Sequence, residues 1–470
     1  MLMFVALFVS TSVIQVFAVD SLKANKHNVR VLYESYSTER GAITVDGVPI
    51  VTSQPVDDDY SFLRVYANGE LYAPVTGFIS LNHGSSGLES SLNEELSGTS
   101  NAQFFDRLNS LFTGETPKGA SVELTLDPVV QQAAWDALGA NSGSIVAIEP
   151  STGRIIAMVS KASYDPNQLS AHEANTTIDE RYDALLANPA EPLVNRAIAG
   201  DLYHPGSVFK IVMTAAALQG GDYTPESEFP NPGQLQLPQT NVFISNAEGG
   251  VCGGGATATI ATALRLSCNI PFAQLGAAMG EQRVGDMAEA FGFGQDLAIP
   301  MTVTPSVYPQ GMDAPQLMLS SFGQYDDQVT PLQIAMVSAA VANGGVLMRP
   351  TLVDSVTAPN LTVLKQFEPQ VFSTPISPEV SATMVQMLVN GVSNGAASNA
   401  RISGVEVGGK TGTAENGEGE PYTLWFTGFA PAVNPQVAIA VVIENGAPNA
   451  FGNLVAAPIA KKVLEAVLSR

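Results

Sequence analysis

Basic side chains are scarce in this sequence: 21 Lys and Arg stand against 44 Asp and Glu, a formal net charge of -23 over 470 residues. So acidic a chain repels phosphate backbones, which excludes general nucleic-acid binding. Cysteine is scarcer still, with only Cys252 and Cys268, and the four histidines lie scattered at positions 27, 83, 172 and 204. No metal-ligand spacing can be assembled from them, so neither a metal nor another cofactor is expected. Charge is missing altogether from the first 18 residues, MLMFVALFVSTSVIQVFA. As a helix this run would span about 27 Å of a ~30 Å hydrocarbon core, which suits a membrane anchor. A signal peptide cleaved after Val16-Phe17-Ala18 and a buried soluble helix are the alternatives. Lys23, Lys26 and Arg30 follow the run and nothing basic precedes it, the reverse of the usual positive-inside asymmetry. A basic leader upstream of the assigned start would account for that.

A chain of this length with 45% hydrophobic residues is expected to form two or three compact units. Residues 19 to about 115 are polar, with strand-like Ala42-Ile43-Thr44-Val45 and a glycine-rich acidic segment from Gly84 to Gly98, and no catalytic cluster. Thr113 to Gly119 has the composition of a linker, which predicts an anchor over 1–18, an N-terminal domain over 19–118 and a catalytic domain over 119–470. Within the last, Asp127-Pro128 starts a helix that runs through Leu138. Ser144–Glu149 and Arg154–Val159 read as a hairpin around Pro150-Ser151-Thr152-Gly153. Late strands are predicted over Val407–Thr413, Leu424–Ala430 and Val437–Glu444. A helix capped by Thr330-Pro331 ends at Asn343-Gly344-Gly345, and the last helix, Pro458–Leu468, aligns Ile459, Val463 and Val467. Strands at both ends with helices between them predict an antiparallel sheet in an α+β arrangement.

The chemistry concentrates in Tyr203-His204-Pro205-Gly206-Ser207-Val208-Phe209-Lys210. From Val208 to Leu218 only Lys210 and Thr214 interrupt an apolar run, so a buried helix carries a lysine one turn after Ser207. A neutral Lys210 could take the Ser207 proton. Bringing its pKa from about 10.4 towards 7 needs about 4 to 5 kcal/mol in favour of the uncharged form, from burial and a second cation. A capping serine and a lysine reaching out of an ordinary helix is the plain alternative. Two further motifs follow in order: Ser267-Cys268-Asn269 and Lys410-Thr411-Gly412-Thr413. S-x-x-K, S-x-N and K-T-G together mark a family of serine acyl-transfer enzymes.

With these motifs, and with Glu39-Arg40-Gly41, Gly87-Leu88-Glu89, Ser163 to Asn167, Asn195-Arg196-Ala197 and Trp425 to Pro431, the chain resembles a class B penicillin-binding protein, a monofunctional D,D-transpeptidase of the actinobacterial kind. The resemblance implies a penicillin-binding, serine β-lactamase-like transpeptidase domain on a smaller pedestal or dimerisation-like domain. It also implies a single-pass membrane protein whose catalytic domain lies outside the cytoplasm. Carried over, Ser207 is the acylated nucleophile, Lys210 its base, and Ser267 a proton relay to the leaving D-alanine. Asn269 binds the substrate amide. Lys410, Thr411, Gly412 and Thr413 bind the substrate, the threonines with Lys410 holding its terminal carboxylate, and the Ser207 and Thr413 N–H groups form the oxyanion hole. Partners so implied are stem peptides ending in D-Ala-D-Ala, β-lactams and a membrane glycan polymerase. A β-lactamase or carboxypeptidase, and a silent penicillin sensor, are the competing functions. His204, Glu191 and Asn195 are read as structural. An exported domain would allow Cys252 and Cys268 to form a disulfide, with Cys268 turned away from the site along an extended segment; two buried thiols are the alternative.

Overall fold

The computed structural model describes residues 2–14, 38–58, 60–103, 118–247, 249–447 and 450–470. The chain forms two compact units: one from residues 1–123, 164–187 and 355–366, the other from 124–163, 188–354 and 367–470. A single boundary at 118/119 therefore gives way to a division in which the smaller unit recruits two segments from within the larger one's sequence. The first residues of the expected 119–470 domain instead contribute the strand Ser121–Leu124 to the smaller unit's sheet.

That sheet has six strands, in the order Val363–Gln366, Val353–Thr357, Ser121–Leu124, Ile43–Val45, Val48–Pro55 and Phe62–Tyr66. The Gly84–Gly98 segment, which composition alone leaves shapeless, folds into two short helices, Gly87–Ser91 and Asn93–Leu96. Glu89 is wholly buried there between Arg40 and Arg64, at 2.7 Å from each. Burial raises its carboxyl pKa, but the two guanidinium groups outweigh this and hold it below the usual range. Of the apolar N-terminal run, Leu2–Ser12 is α-helical; residues 15–18, with the cleavage-like Val16-Phe17-Ala18, lie outside the described residues, as does 113–117 of the linker-like stretch. Among the described residues, no helix is long and apolar enough to cross a membrane.

The larger unit is built on a five-stranded antiparallel sheet, ordered Gly408–Ala414, Tyr422–Ala430, Val437–Gly446, Gly143–Ile148 and Ile155–Lys161. Its central strands read as unbroken apolar runs because both faces are covered. On one face the helices Pro128–Leu138 and Ala456–Leu468 pack Val130, Ala134, Ile459, Val463 and Val467 against Ile145, Phe426, Ile439 and Val441. On the other lies the helix Pro331–Ala342, buried from Pro331 through Val341, where Ser338 and Thr427 share a hydrogen bond of 2.7 Å. Local signals fix the helix ends. Asp127 accepts from the Val129 and Val130 N–H groups with Pro128 in the first turn, and Thr330 accepts from Gln333 N with Pro331 after it. Gly408–Ala414 is an edge strand of the sheet, which leaves one side of it open to a ligand.

Candidate active site

The nucleophile segment is not the first turn of a regular α-helix. Gly206–Phe209 is a 3-10 turn that continues as the α-helix Lys210–Gln219, capped by Gly220. The spacing of three still brings the side chains together: Lys210 Nζ and Ser207 Oγ lie 3.0 Å apart. Gly206 has φ +52°, and a side chain there would meet the Thr413 carbonyl, so only glycine lets the turn sit against the Lys410-Thr411-Gly412-Thr413 strand. Behind it, Gly206 N donates to Gly323 O at 2.8 Å, and Gly323, at φ +81°, approaches so closely that a Cβ would fall within 1.9 Å of the Gly206 oxygen.

Ser267-Cys268-Asn269 is a corner between helices rather than an extended segment. Ser267, in the left-handed region at φ 64°, ends the helix Ile260–Leu266, and Asn269 begins Ile270–Met279. In this corner, not along an extended strand, Cys268 is fully buried and disulfide-bonded to Cys252 with Cα atoms 5.8 Å apart. Asn246, which sequence reasoning did not single out, braces the corner: its Oδ1 accepts from the Asn269 and Ile270 N–H groups at 2.9 and 3.1 Å. Nothing in Ser245-Asn246-Ala247 marks that role, because the contact crosses more than 20 residues of chain.

These pieces converge on Lys210. Its amine, fully buried, reaches Ser267 O at 2.9 Å and Asn269 Oδ1 at 2.8 Å as well as Ser207 Oγ, and sits 5.5 Å from the Phe272 ring centre. Burial drives its pKa well below the ordinary lysine value, and the charge of Lys410 pushes the same way. Lys410, itself 2% exposed, donates to Ser267 Oγ at 2.7 Å and to Thr411 O at 2.8 Å, and burial lowers it to about 7. A neutral Lys210 has two N–H bonds and one lone pair. Two acceptors and one hydroxyl surround it, so the uncharged amine satisfies all three contacts while accepting from Ser207. Asn269 is occupied at both ends, its Nδ2 donating to Ser245 O at 3.0 Å. The Thr411 hydroxyl donates to Ala396 O at 3.0 Å, and Thr413 Oγ1 accepts from Gly452 N at 3.2 Å.

Ser207, Ser267, Asn269, Thr411, Gly412 and Thr413 all line one cleft of about 1020 Å³. His204 is turned elsewhere: its Nδ1 lies 3.0 Å from Asp327 O, and its own carbonyl accepts from Trp425 Nε1. Glu191 lies within 3.9 Å of Arg196, and Asn195 Oδ1 accepts from Ala197 N, so neither joins Ser207. Among the described residues no group of side chains could hold a metal ion.

Known proteins resemble the chain in both of its units. Residues 143–465 match the penicillin binding protein transpeptidase domain, and residues 40–122 the penicillin binding protein A dimerisation domain. The chain is 41% identical, over its whole length and 97% of the relative's, to the peptidoglycan D,D-transpeptidase PbpA of Mycolicibacterium smegmatis, and 40% identical over the same shares to that of Mycobacterium tuberculosis. It is similar to the solved penicillin-binding protein A of M. tuberculosis in its imipenem acyl-enzyme complex, with a TM-score of 0.88 and 40% identity over 92% of this chain and all of that one. The penicillin G acyl-enzyme complex gives 0.87 and 39% over the same shares. With both units matched and its full length aligned, the chain belongs to the penicillin-binding protein transpeptidase family.

Proposed function

We infer that this protein is a peptidoglycan D,D-transpeptidase that joins stem peptides through an acyl-enzyme on Ser207 and is acylated there by β-lactams. The observation that carries the reading is a buried amine 3.0 Å from a cleft-lining serine hydroxyl, with its two N–H bonds already matched to Ser267 O and Asn269 Oδ1. Lys210 accepts the Ser207 proton as Oγ attacks the D-Ala-D-Ala carbonyl. The N–H groups of Ser207 and Thr413 receive the negative oxygen, each worth on the order of 3 kcal/mol at the transition state. Ser267 Oγ, held by Lys410, passes a proton to the departing D-alanine nitrogen. Thr411 and Thr413 with Lys410 hold the terminal carboxylate, and Asn269 contacts the substrate amide once its present partners yield. An amine from a second stem peptide then attacks the ester and releases Ser207.

The uncharged first 18 residues support a single-pass anchor with the catalytic unit outside the cytoplasm, and the Cys252–Cys268 bond is consistent with that compartment. A membrane glycan polymerase that supplies uncross-linked strands is the partner such an enzyme needs. Purified protein given a stem pentapeptide and an amine-bearing acceptor should release D-alanine and form the cross-linked product, seen by mass spectrometry. Release of D-alanine with hydrolysed peptide alone would make it a carboxypeptidase.

A further inference from the structure

The cleft holds one charged side chain that the chemistry above leaves unused. Thr411, Gly412, Thr413 and, just past the end of the strand Gly408–Ala414, Glu415 line the cleft, whereas Ala414 is fully buried and does not. Two residues span at most about 7 Å, so Glu415 lies within that distance of Thr413, one of the residues flanking the acyl carbon. Among the described residues, Glu415 is the sole charged residue lining the cleft; it is exposed and makes no hydrogen bond or ion pair with them.

Transpeptidation supplies a cation of the right kind. One stem peptide gives an acyl group and another gives an amine, and both are copies of one repeating unit. Every peptide entering the cleft therefore carries that amine, which as a primary alkylamine (pKa ~10.4) is an ammonium near pH 7. Lys210 and Lys410 below the cleft floor offer it no counter-charge; Glu415 does. We propose that Glu415 is a specificity-determining residue that binds the ammonium of a stem peptide, resting on the transpeptidase reading above. Two sources share this chemistry: the amine of the donor seated on Ser207, and that of the incoming acceptor. In the second case the ammonium first releases one proton to solvent. Its nitrogen then forms the new C–N bond, the C–Oγ bond to Ser207 breaks, and the remaining extra proton passes through Lys210 to Ser207 Oγ.

The test uses the full chain, D-Ala-D-Ala donor peptides with a lysine side chain either free or Nε-acetylated, and, as acceptor competing with water, the free-amine peptide without the terminal D-Ala-D-Ala. The parent protein should prefer the free amine. In Glu415→Gln that preference should fall by about 3- to 5-fold, in the acylation rate if the donor amine is bound, or in the ratio of aminolysis to hydrolysis if the acceptor is. Glu415→Asp should restore part of it. Glu418→Gln and Glu420→Gln, in the same hairpin loop but off the cleft, should change neither. Undiminished preference in Glu415→Gln with cross-linking intact would overturn the assignment alone, as would equal losses in the loop controls. A parent protein that never forms the cross-link would overturn the transpeptidase reading and this assignment with it.

Discussion

Lys210 concentrates the argument because burial and the neighbouring Lys410 charge both disfavour its protonated form. Removing it in Lys210→Ala should slow acylation by penicillin about 10²- to 10⁴-fold, the usual range for a general base, as followed by stopped-flow quenching of protein fluorescence. Lys210→Arg should be as slow, since a guanidinium stays charged and offers no lone pair to accept the Ser207 proton. In the parent the rate should fall as pH drops, because protonating Lys210 removes the lone pair that faces Ser207. An arginine variant as fast as the parent would refute the base role. At this scale the sequence was informative: Ser207, Lys210, Ser267, Asn269 and Lys410 to Thr413 are short-range patterns with fixed chemistry. Asn246 was not legible, and neither was the bond from Trp425 to the His204 carbonyl, because each acts on a backbone group far away in sequence.

Two elements hold the nucleophile, and each has its own titration or redox signature. The first is the corner at Ser267 to Asn269, tied by Cys268 to Cys252 across a separation of 16 residues. Cys252→Ser with Cys268→Ser should cost about 3 kcal/mol of stability in the chain-entropy account, read as a lower Tm, and should slow acylation by loosening Ser267. An unchanged Tm would mean that the bond does not brace the fold. The second is the segment behind the nucleophile, where Val329 exchanges backbone hydrogen bonds with Tyr203 and Gly323 receives one from Gly206. Asp327 anchors it, fully buried, with Ser320 Oγ donating to one carboxyl oxygen at 2.8 Å and, among the described residues, no partner for the other oxygen. Burial holds its pKa well above the carboxylate range; the Ser320 hydrogen bond opposes this and the Asp326 charge adds to it. The folded state thus keeps a proton that the unfolded chain loses above about pH 3.9, so this residue makes the protein less stable as pH rises from there. Asp327→Asn should therefore melt higher than the parent at pH 8 and at nearly the same temperature at pH 4. A gain at pH 4 as large as at pH 8 would contradict a neutral Asp327. Helix limits such as Pro128–Leu138 were readable from caps and prolines, whereas the corner was not, since a left-handed serine leaves no trace in composition.

On the scale of the molecule, the α+β arrangement was readable because both ends of the larger unit are β-rich and its middle is helical. The division of the chain was not: residues 164–187 and 355–366 join the smaller unit through pairing and packing, which leave no mark at a linker. The larger unit brings residues 207, 267 and 410, far apart in sequence, within hydrogen-bond reach of one amine pair, and that convergence is the claim on which the function rests. The most direct measurement is intact-mass and peptide-mapping analysis of the protein incubated with penicillin G, followed over time. One penicilloyl adduct on Ser207, lasting far longer than seconds and absent in a folded Ser207→Ala variant, is the expected result; an adduct on another residue, or one lost within seconds, would contradict it.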